Sequence, residues 1–395
     1  MKINKLYTFN INTVAIKRSV FLTALSLSKV LLIMCFVALA ACQTQARKQA
    51  VTEKLTPVML SRAKGFKIAK STDKTLLSIY SPKDTSQLLK QFSLLPQDYA
   101  QPLNENEIKV PCKCIICLSS TQLAYLIELD ALDNIVGINS SRHLFNQIIN
   151  DKVKAKAIKK VGKEGVFNIE TIVSLAPDVI FVSPFKTGGY DAIKNLGIPL
   201  VPMAAYAEQS PLGRAEWIKM LALFAGKETA ADSIYKHIEM DYERLKALTQ
   251  SVKHRPTVFS GKMKGGTWYV AGGDSFFAHY FRDAGADYII KNNMTGSMPM
   301  DYESIYSLAG NADYWRLLTS SPKGFNKAML KQEDERYADF DAYKTGRVLV
   351  CNLREVPYRE ESAIKPNVLL ADYIFHFHPE LMPAYEPTYW KKIEE

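Results

Sequence analysis

Three cysteines, Cys112, Cys114 and Cys117, form a Cys-x-Cys-x-x-Cys cluster, a pattern that could ligate a metal ion. The cluster lies within residues 110–118, a largely apolar run typical of a buried strand. Successive side chains of a strand point to opposite faces, so Cys112 and Cys114 would share a face and Cys117 would point away. The pattern therefore favours structural packing over metal binding. A disulfide stays open, since a sequence does not fix which cysteines pair.

Two glutamates occupy equivalent places in a short internal repeat. Residues 170–176 read Glu-Thr-Ile-Val-Ser-Leu-Ala and residues 303–309 read Glu-Ser-Ile-Tyr-Ser-Leu-Ala. Asn168 and Asp301 stand two positions upstream as helix N-caps, which places Glu170 and Glu303 in the first turn of a helix. Favourable interaction with the helix dipole, about 0.3–1 kcal/mol, would explain one such glutamate. Two equivalent ones predict outward carboxylates that could seat a two-fold-symmetric partner.

Cys42 is a candidate site of covalent modification. Lys17 and Arg18 precede the apolar residues 30–39, which are too few to span a bilayer, since a spanning helix needs about 20 residues. The small residues Ala40 and Ala41 then lead to Cys42, as at the end of a secretory signal peptide. The pattern resembles the bacterial lipobox, which implies that cleavage leaves Cys42 first and that its thiol is acylated. A signal with a chance cysteine and a plain membrane anchor are the alternatives.

The charge balance does not point to nucleic acid. The chain has 395 residues and a formal charge of +10, but residues 1–42 contain five basic and no acidic residues. The remainder carries 45 basic and 40 acidic residues, with no run of Lys or Arg and no basic-aromatic stripe. Nucleic-acid binding is therefore not expected.

From residue 110 onward, strand-like and helix-like segments alternate, which predicts parallel sheets covered by helices. Residues 227–250 show apolar positions at helical spacing, and a helix of that length could run from one lobe to another. The predicted fold is α/β, with two lobes whose central sheets are mainly parallel, one long joining helix and a ligand cleft between the lobes. The predicted segments are the signal peptide (1–42), a tether with a small N-terminal hairpin region (43–109), an N-terminal α/β lobe (110–226), an inter-lobe helix (227–254) and a C-terminal α/β lobe (255–395).

Candidate ligand-binding residues lie in the loops that follow the predicted strands, where open α/β sheets place their ligands. The cations Arg142, Lys186 and Arg354 could complement an anionic ligand. The aromatic residues able to stack on a flat ligand are Trp268, Tyr269 and Tyr358.

Several motifs resemble the periplasmic binding proteins of ABC importers for ferric siderophores, haem and cobalamin. These are Asn168-Ile169-Glu170, Leu175-Ala176-Pro177-Asp178-Val179-Ile180, Gly272-Gly273, Asp283-Ala284-Gly285-Ala286 and Asp301-Tyr302-Glu303. His378-Pro379-Glu380-Leu381 is similar to a common ending in the Bacteroidetes branch. The resemblance, over residues 110–381, implies a monomeric receptor without a cofactor, lipid-anchored on the periplasmic side of the cell envelope. It also implies that Glu170 and Glu303 dock into arginine pockets of the permease dimer, which works with its ATPase.

Among ligands of that family, a ferric siderophore-type iron chelate ranks first, ahead of haem and cobalamin. Haem would need an axial ligand, for which Tyr269 and His143 are the candidates. Cobalamin binders of the family have tryptophan six positions before each docking glutamate, whereas this chain has Glu164 and Ser297. Both haem and cobalamin stay as alternatives.

Other classes of function find less support in the sequence. A zinc or manganese receptor would need converging histidines and carboxylates, but the six histidines are dispersed. An extracytoplasmic enzyme is not indicated, because the chain has no phosphate-binding loop, no Gly-x-Ser-x-Gly elbow and no His-Glu-x-x-His motif.

Overall fold

The computed structural model describes residues 54–142, 144–163, 165–184 and 189–395. The predicted signal peptide, which ends at Cys42, lies outside these ranges, as do His143, Glu164 and Lys186. Within the described ranges, no helix combines the length and the apolar character that crossing a bilayer requires.

The chain first forms a five-stranded sheet, which is larger than the hairpin predicted from the sequence. Its strands are β1 Thr56–Val58, β2 Phe66–Lys70, β3 Thr75–Tyr80, β4 Leu88–Pro96 and β5 Glu107–Val110. They are adjacent in chain order, and every neighbouring pair is antiparallel except β4 with β5. Phe66 and Ile68 of β2 are buried while Lys67 between them is exposed, the alternation expected of a strand with one face on a core.

The strand predicted at residues 110–118 is interrupted. β5 ends at Val110, and the next strand, β6 Ile115–Cys117, belongs to a different sheet. Pro111 stands at the break, and proline lacks the backbone N–H that a central strand donates to its neighbour. Cys112 and Cys114 therefore do not lie on a common strand, which corrects the assignment of faces made from the sequence.

The first lobe is built on a parallel sheet. Its remaining strands are β7 Ile135–Ile138, β8 Lys159–Lys160, β11 Val179–Val182 and β12 Leu200–Pro202, with β9 Gly162–Lys163 and β10 Val166–Phe167 as a separate antiparallel pair. Its helices are α1 Ser120–Glu128, α2 Gln147–Lys154, α3 Ile169–Ser174, α4 Asp191–Lys194, α5 Pro211–Glu216 and α6 Ile218–Ala225. The order is β12-β11-β6-β7-β8, with all neighbours parallel. All four residues of β11 are buried, as expected when helices cover both faces.

One long helix, α7 Glu228–Leu248, joins the lobes. It packs against α6 of the first lobe. Near its other end, the Tyr242 hydroxyl donates to a carboxylate oxygen of Asp283 at 2.8 Å, and Lys246 lies 3.2 Å from the same side chain in the second lobe. At 21 residues and about 1.5 Å per residue, the helix is about 31 Å long.

The second lobe repeats the α/β arrangement and adds a small antiparallel sheet. Its strands are β13 Thr257–Ser260, β14 Met263–Lys264, β15 Thr267–Ala271, β16 Asp287–Tyr288, β17 Ser297–Met300, β18 Tyr314–Thr319, β19 Val348–Asn352 and β20 Lys391–Lys392. Its helices are α8 Phe276–Asp283, α9 Tyr302–Ala309, α10 Lys327–Glu333, α11 Asp341–Lys344, α12 Tyr358–Glu361 and α13 Pro366–Phe377. The main sheet runs β16-β13-β18-β19-β20 and is parallel except for β20, while β14-β15-β17 is antiparallel. Helix α13 also packs against α7, so the chain forms two α/β lobes on one shared helix.

Candidate ligand cleft

Three adjoining cavities follow the cleft between the lobes. The largest, of about 650 Å³, lies between residues 206–208 of the first lobe and residues 275–277 of the second. A cavity of about 400 Å³ adjoins it at Tyr206, and one of about 510 Å³ adjoins it at Thr295. Ligand sites of small molecules typically have volumes of about 300–1,000 Å³, so the cleft is large enough for a small-molecule ligand.

The main cavity is lined by a buried arginine that the sequence analysis missed. Arg316 lies in β18, is 6% exposed and has its guanidinium between two rings, 3.9 Å from the Phe277 centroid and 4.5 Å from that of Trp390. Its Nε and Nη2 have no hydrogen-bond partner among the described residues. A guanidinium stays protonated in proteins, and burying a charge without a counter-ion is costly. The wall of the cavity therefore contains a buried positive charge, two of whose donor atoms have no partner among the described residues.

A second arginine lies close to the same region. The Arg214 guanidinium lies 5.2 Å from the centroid of Phe276, a ring that lines the main cavity, and its buried Nε has no partner among the described residues. Arg214 belongs to α5 of the first lobe, whereas Phe276 begins α8 of the second. Arg214 lines none of the three cavities, but its guanidinium packs against a ring of the second lobe that does.

Positive charge also dominates the rest of the lining. Among the described residues, the charged groups of the three cavities are Lys64, Lys83, Arg142, Arg316 and Arg359 against Asp84 and Glu208. Glu208 is already occupied, because it accepts from the backbone N–H of Gly65 at 2.9 Å and from Trp217 Nε1 at 2.9 Å. Burial raises the pKa of Glu208, although these hydrogen bonds oppose the shift. The excess of cations favours an anionic ligand.

Two of the predicted ligand-binding residues line the cleft. Arg142 is exposed and lines the 400 Å³ cavity, where Arg359 of the second lobe also lies. Tyr269 is 46% exposed and lines the main cavity. Their binding of a ligand stays a prediction, as does that of Lys186, which is outside the described residues.

Trp268 was predicted to stack on a flat ligand, but it is fully buried in the second lobe. Its Nε1 donates to the Ser260 carbonyl at 3.1 Å, and its ring packs against Trp315 with centroids 5.6 Å apart. Adjacent residues of a strand point to opposite faces, so β15 can present Tyr269 to the cleft only with Trp268 in the core.

Tyr358 and Arg354 also lie away from the cavities. Tyr358 is buried at 7% exposure, with its ring edge-on to Tyr389 and Trp390. Arg354 is exposed after β19 and lines none of the three cavities. Arg359, which follows in helix α12, lines the 400 Å³ cavity instead.

The paired glutamates lie at the predicted helix starts. The side chain of Asn168 accepts from Thr171 N at 2.9 Å, and that of Asp301 accepts from Ser304 N at 2.6 Å. Glu170 and Glu303 are exposed in the first turns of α3 and α9 and form no ion pair with a described residue. Both helices lead directly into parallel strands, so their N-termini lie toward the carboxyl edges of the sheets, where the cleft is.

The internal repeat extends to the pattern of burial around the glutamates. Ile172 and Ile305, two positions after each glutamate, are both fully buried. Val173 and Tyr306, one position further, are 55% and 40% exposed. Each lobe therefore presents a carboxylate and an exposed apolar side chain one helical turn apart.

The described cysteines do not form a metal site. Cys112, Cys117 and Cys351 are buried, Cys114 is partly exposed, and all four are free thiols. Burial raises the pKa of Cys351 to about 12, and it also raises those of Cys112 and Cys117, so these thiols stay protonated. Within the described part of the chain, no group of three or more His, Cys, Asp or Glu side chains is placed to hold a metal ion.

A family model described as periplasmic binding protein matches residues 115–354, more than half of the chain. The chain belongs to the periplasmic binding protein family. An uncharacterized lipoprotein of Methanocaldococcus jannaschii is 30% identical over 305 residues, which cover 73% of this chain and 70% of the relative.

Solved structures of periplasmic binding proteins share the fold. A periplasmic haem-binding protein of Pseudomonas aeruginosa has a TM-score of 0.58 at 17% identity, covering 72% of this chain and 99% of its own. The molybdate-binding protein of a Haemophilus influenzae ABC transporter has a TM-score of 0.57 at 16% identity, covering 71% and 90%. At these identities the likeness concerns the two-lobed fold alone.

Proposed function

We propose that this chain is the substrate-binding lipoprotein of an ABC importer and captures an anionic iron chelate of the ferric siderophore type. The observation that carries the proposal is the buried Arg316 guanidinium, which belongs to a residue lining the inter-lobe cavity and whose Nε and Nη2 have no partner among the described residues. A ligand carboxylate or catecholate oxygen would supply the missing acceptor and offset the cost of the buried charge.

The proposed partners are an inner-membrane permease dimer and its ATPase. The support is the pair of exposed carboxylates at equivalent positions of two lobes, each with an exposed apolar neighbour. Substrate-binding proteins of ABC transporters from Listeria monocytogenes and Haemophilus influenzae share the fold. The resulting location is the periplasmic side of the cell envelope, with the receptor as a monomer.

Haem is the second candidate ligand. Tyr269 lines the main cavity and is 46% exposed, so its phenol could serve as an axial ligand to iron. The haem propionates would then be the anions that meet the arginines. A Soret band that shifts on addition of haemin and is lost in Tyr269→Phe would favour haem over a siderophore-type chelate.

Calorimetric titration of the mature protein with ferric tris-catecholate, ferric citrate, haemin and cobalamin tests the proposal. We expect the ferric chelates to bind most tightly and Arg142→Ala to weaken that binding by up to about fivefold, since an exposed charge contributes at most about 1 kcal/mol. Lys159→Ala, an exposed lysine of β8 that lines none of the three cavities, is the matched control. Binding of cobalamin alone, unaffected by Arg142→Ala, would contradict the proposal.

The lipid anchor gives a prediction of its own. Cys42→Ser should release the mature protein in soluble form and abolish its labelling by radioactive palmitate, because the thiol is the acylated group. Cys35→Ser, within the predicted signal peptide, should leave both membrane association and labelling unchanged. Membrane association and labelling that persist in Cys42→Ser would contradict the anchor.

A further inference from the structure

The five-stranded N-terminal sheet precedes the part of the chain that the family model matches. The model begins at residue 115, whereas β5 ends at Val110. The sheet therefore lies N-terminal to the matched residues, and its position relative to the ligand cleft is described from this chain alone.

Two buried glutamates attach the sheet to the first lobe. Glu216, which is fully buried, accepts from the backbone N–H groups of residues 61–63, each at 2.8 Å. Glu208 accepts from the N–H groups of residues 64–65 at 3.0 and 2.9 Å. Phe66, at the start of β2, packs edge-on against Trp217 with ring centroids 4.9 Å apart. Charge-assisted hydrogen bonds to buried carboxylates fix the sheet against the lobe.

The loop at residues 81–87 joins β3 to β4 and is closed by its own hydrogen bonds. Ser81 N donates to the Gln87 carbonyl at 2.8 Å, and Gln87 N donates to the Asp84 carbonyl at 3.0 Å. The Asp84 carboxylate accepts from Ser86 N at 2.9 Å and from Ser86 Oγ at 2.7 Å. These bonds give the loop a defined conformation.

The tip of this loop lines the ligand cleft. Pro82 and Lys83 line the 650 Å³ cavity together with Arg316 and Tyr269 of the second lobe. They also line the 510 Å³ cavity, where they share the wall with Thr295. The loop is therefore a third wall, supplied by a part of the chain that belongs to neither lobe.

Lys83 is the cation of this wall, and its ammonium has no carboxylate partner among the described residues. It is exposed and forms no ion pair with a described residue. The two carboxylates of the adjoining cavity are engaged elsewhere, Asp84 within the loop and Glu208 with residues 64–65. Its ammonium is thus free to meet an anion that enters the cavity.

We propose that loop 81–87 is part of the ligand site and that Lys83 contacts an anionic group of the bound chelate. The inference rests on the proposed function, since it takes the ligand to be an anion held in the main cavity. It goes beyond that function in assigning to the N-terminal sheet a share in affinity and specificity.

The test is calorimetric titration of ferric tris-catecholate and ferric citrate into the mature protein and its variants. Lys83→Ala should raise the dissociation constant about threefold to tenfold, Lys83→Glu should raise it further, and Lys83→Arg should restore most of the affinity. Lys67→Ala is the matched control, because Lys67 is an exposed lysine of the same sheet that lines none of the three cavities. All variants should keep the wild-type melting temperature.

The outcomes separate this inference from the proposed function. The loop is not part of the site if the wild-type protein binds the chelate, Arg316→Gln does not bind it and all Lys83 variants bind it normally. That result would refute only this inference. If the wild-type protein binds no anionic chelate, the proposed function falls and the inference with it. A graded loss from Lys83→Ala to Lys83→Glu, with rescue by arginine, supports it.

Discussion

Replacing Arg316 with methionine should abolish binding of the anionic chelate. Arg316 lines the cavity, and the methionine variant would lose two charge-assisted hydrogen bonds from the guanidinium to the ligand, each of which contributes about 1.5–3 kcal/mol. We therefore expect the dissociation constant to rise by at least about 100-fold, since each 1.4 kcal/mol is a factor of about ten. Calorimetric titration of the purified mature protein with ferric tris-catecholate measures the change.

The same substitution should not destabilise the protein. Arg316 is a buried charge with unpaired donors between Phe277 and Trp390, and replacing such a charge by an apolar side chain of similar volume is often neutral or stabilising. The melting temperature of Arg316→Met should therefore be equal to or higher than that of the wild type. Arg354→Met, an exposed arginine outside the cavities, should change neither quantity. Normal binding by Arg316→Met would refute its role, and a fall in melting temperature would indicate a structural one.

Replacing both Glu170 and Glu303 with alanine should abolish uptake while ligand affinity stays unchanged. Both carboxylates are exposed and unpaired among the described residues, so each contributes at most about 1 kcal/mol to stability through the helix dipole. At the permease each would pair with an arginine and orient the receptor over the pore. Uptake of a radiolabelled ferric chelate by cells that carry the double variant measures the effect, with titration and thermal unfolding of the purified protein alongside.

The matched control removes two first-turn acids from helices outside the repeat. Glu228 begins α7 and Asp341 begins α11, so Glu228→Ala with Asp341→Ala changes the same net charge and similar helix positions. This control should transport normally. Wild-type uptake by the Glu170→Ala, Glu303→Ala variant would remove the main reason for assigning an importer's permease as the partner. A collapsed melting temperature would show that the glutamates are structural.

Regular local patterns were sufficient to predict most of the two lobes. Buried runs such as residues 178–183 and 314–319 have no alternation because helices cover both faces of their sheets, and both are strands. The spacing of apolar residues in α7 predicted one long helix, and the capping residues Asn168 and Asp301 predicted the starts of α3 and α9. The N-terminal sheet was underestimated because β4 and β5 gave no such regular pattern.

By itself the sequence determined the α/β class, the long joining helix and the exposed pair Glu170 and Glu303, because each depends on contacts between residues near in the chain. The tertiary structure decided which side chains face the ligand. It placed Tyr269 in the cleft and Trp268 in the core, and it left Arg354 outside the cavities. It also brought Arg316, a charge within a buried strand, beside loop 81–87 from the other end of the chain. Contacts of this kind depend on how distant segments of the chain pack together, so the local periodicity of the sequence does not predict them.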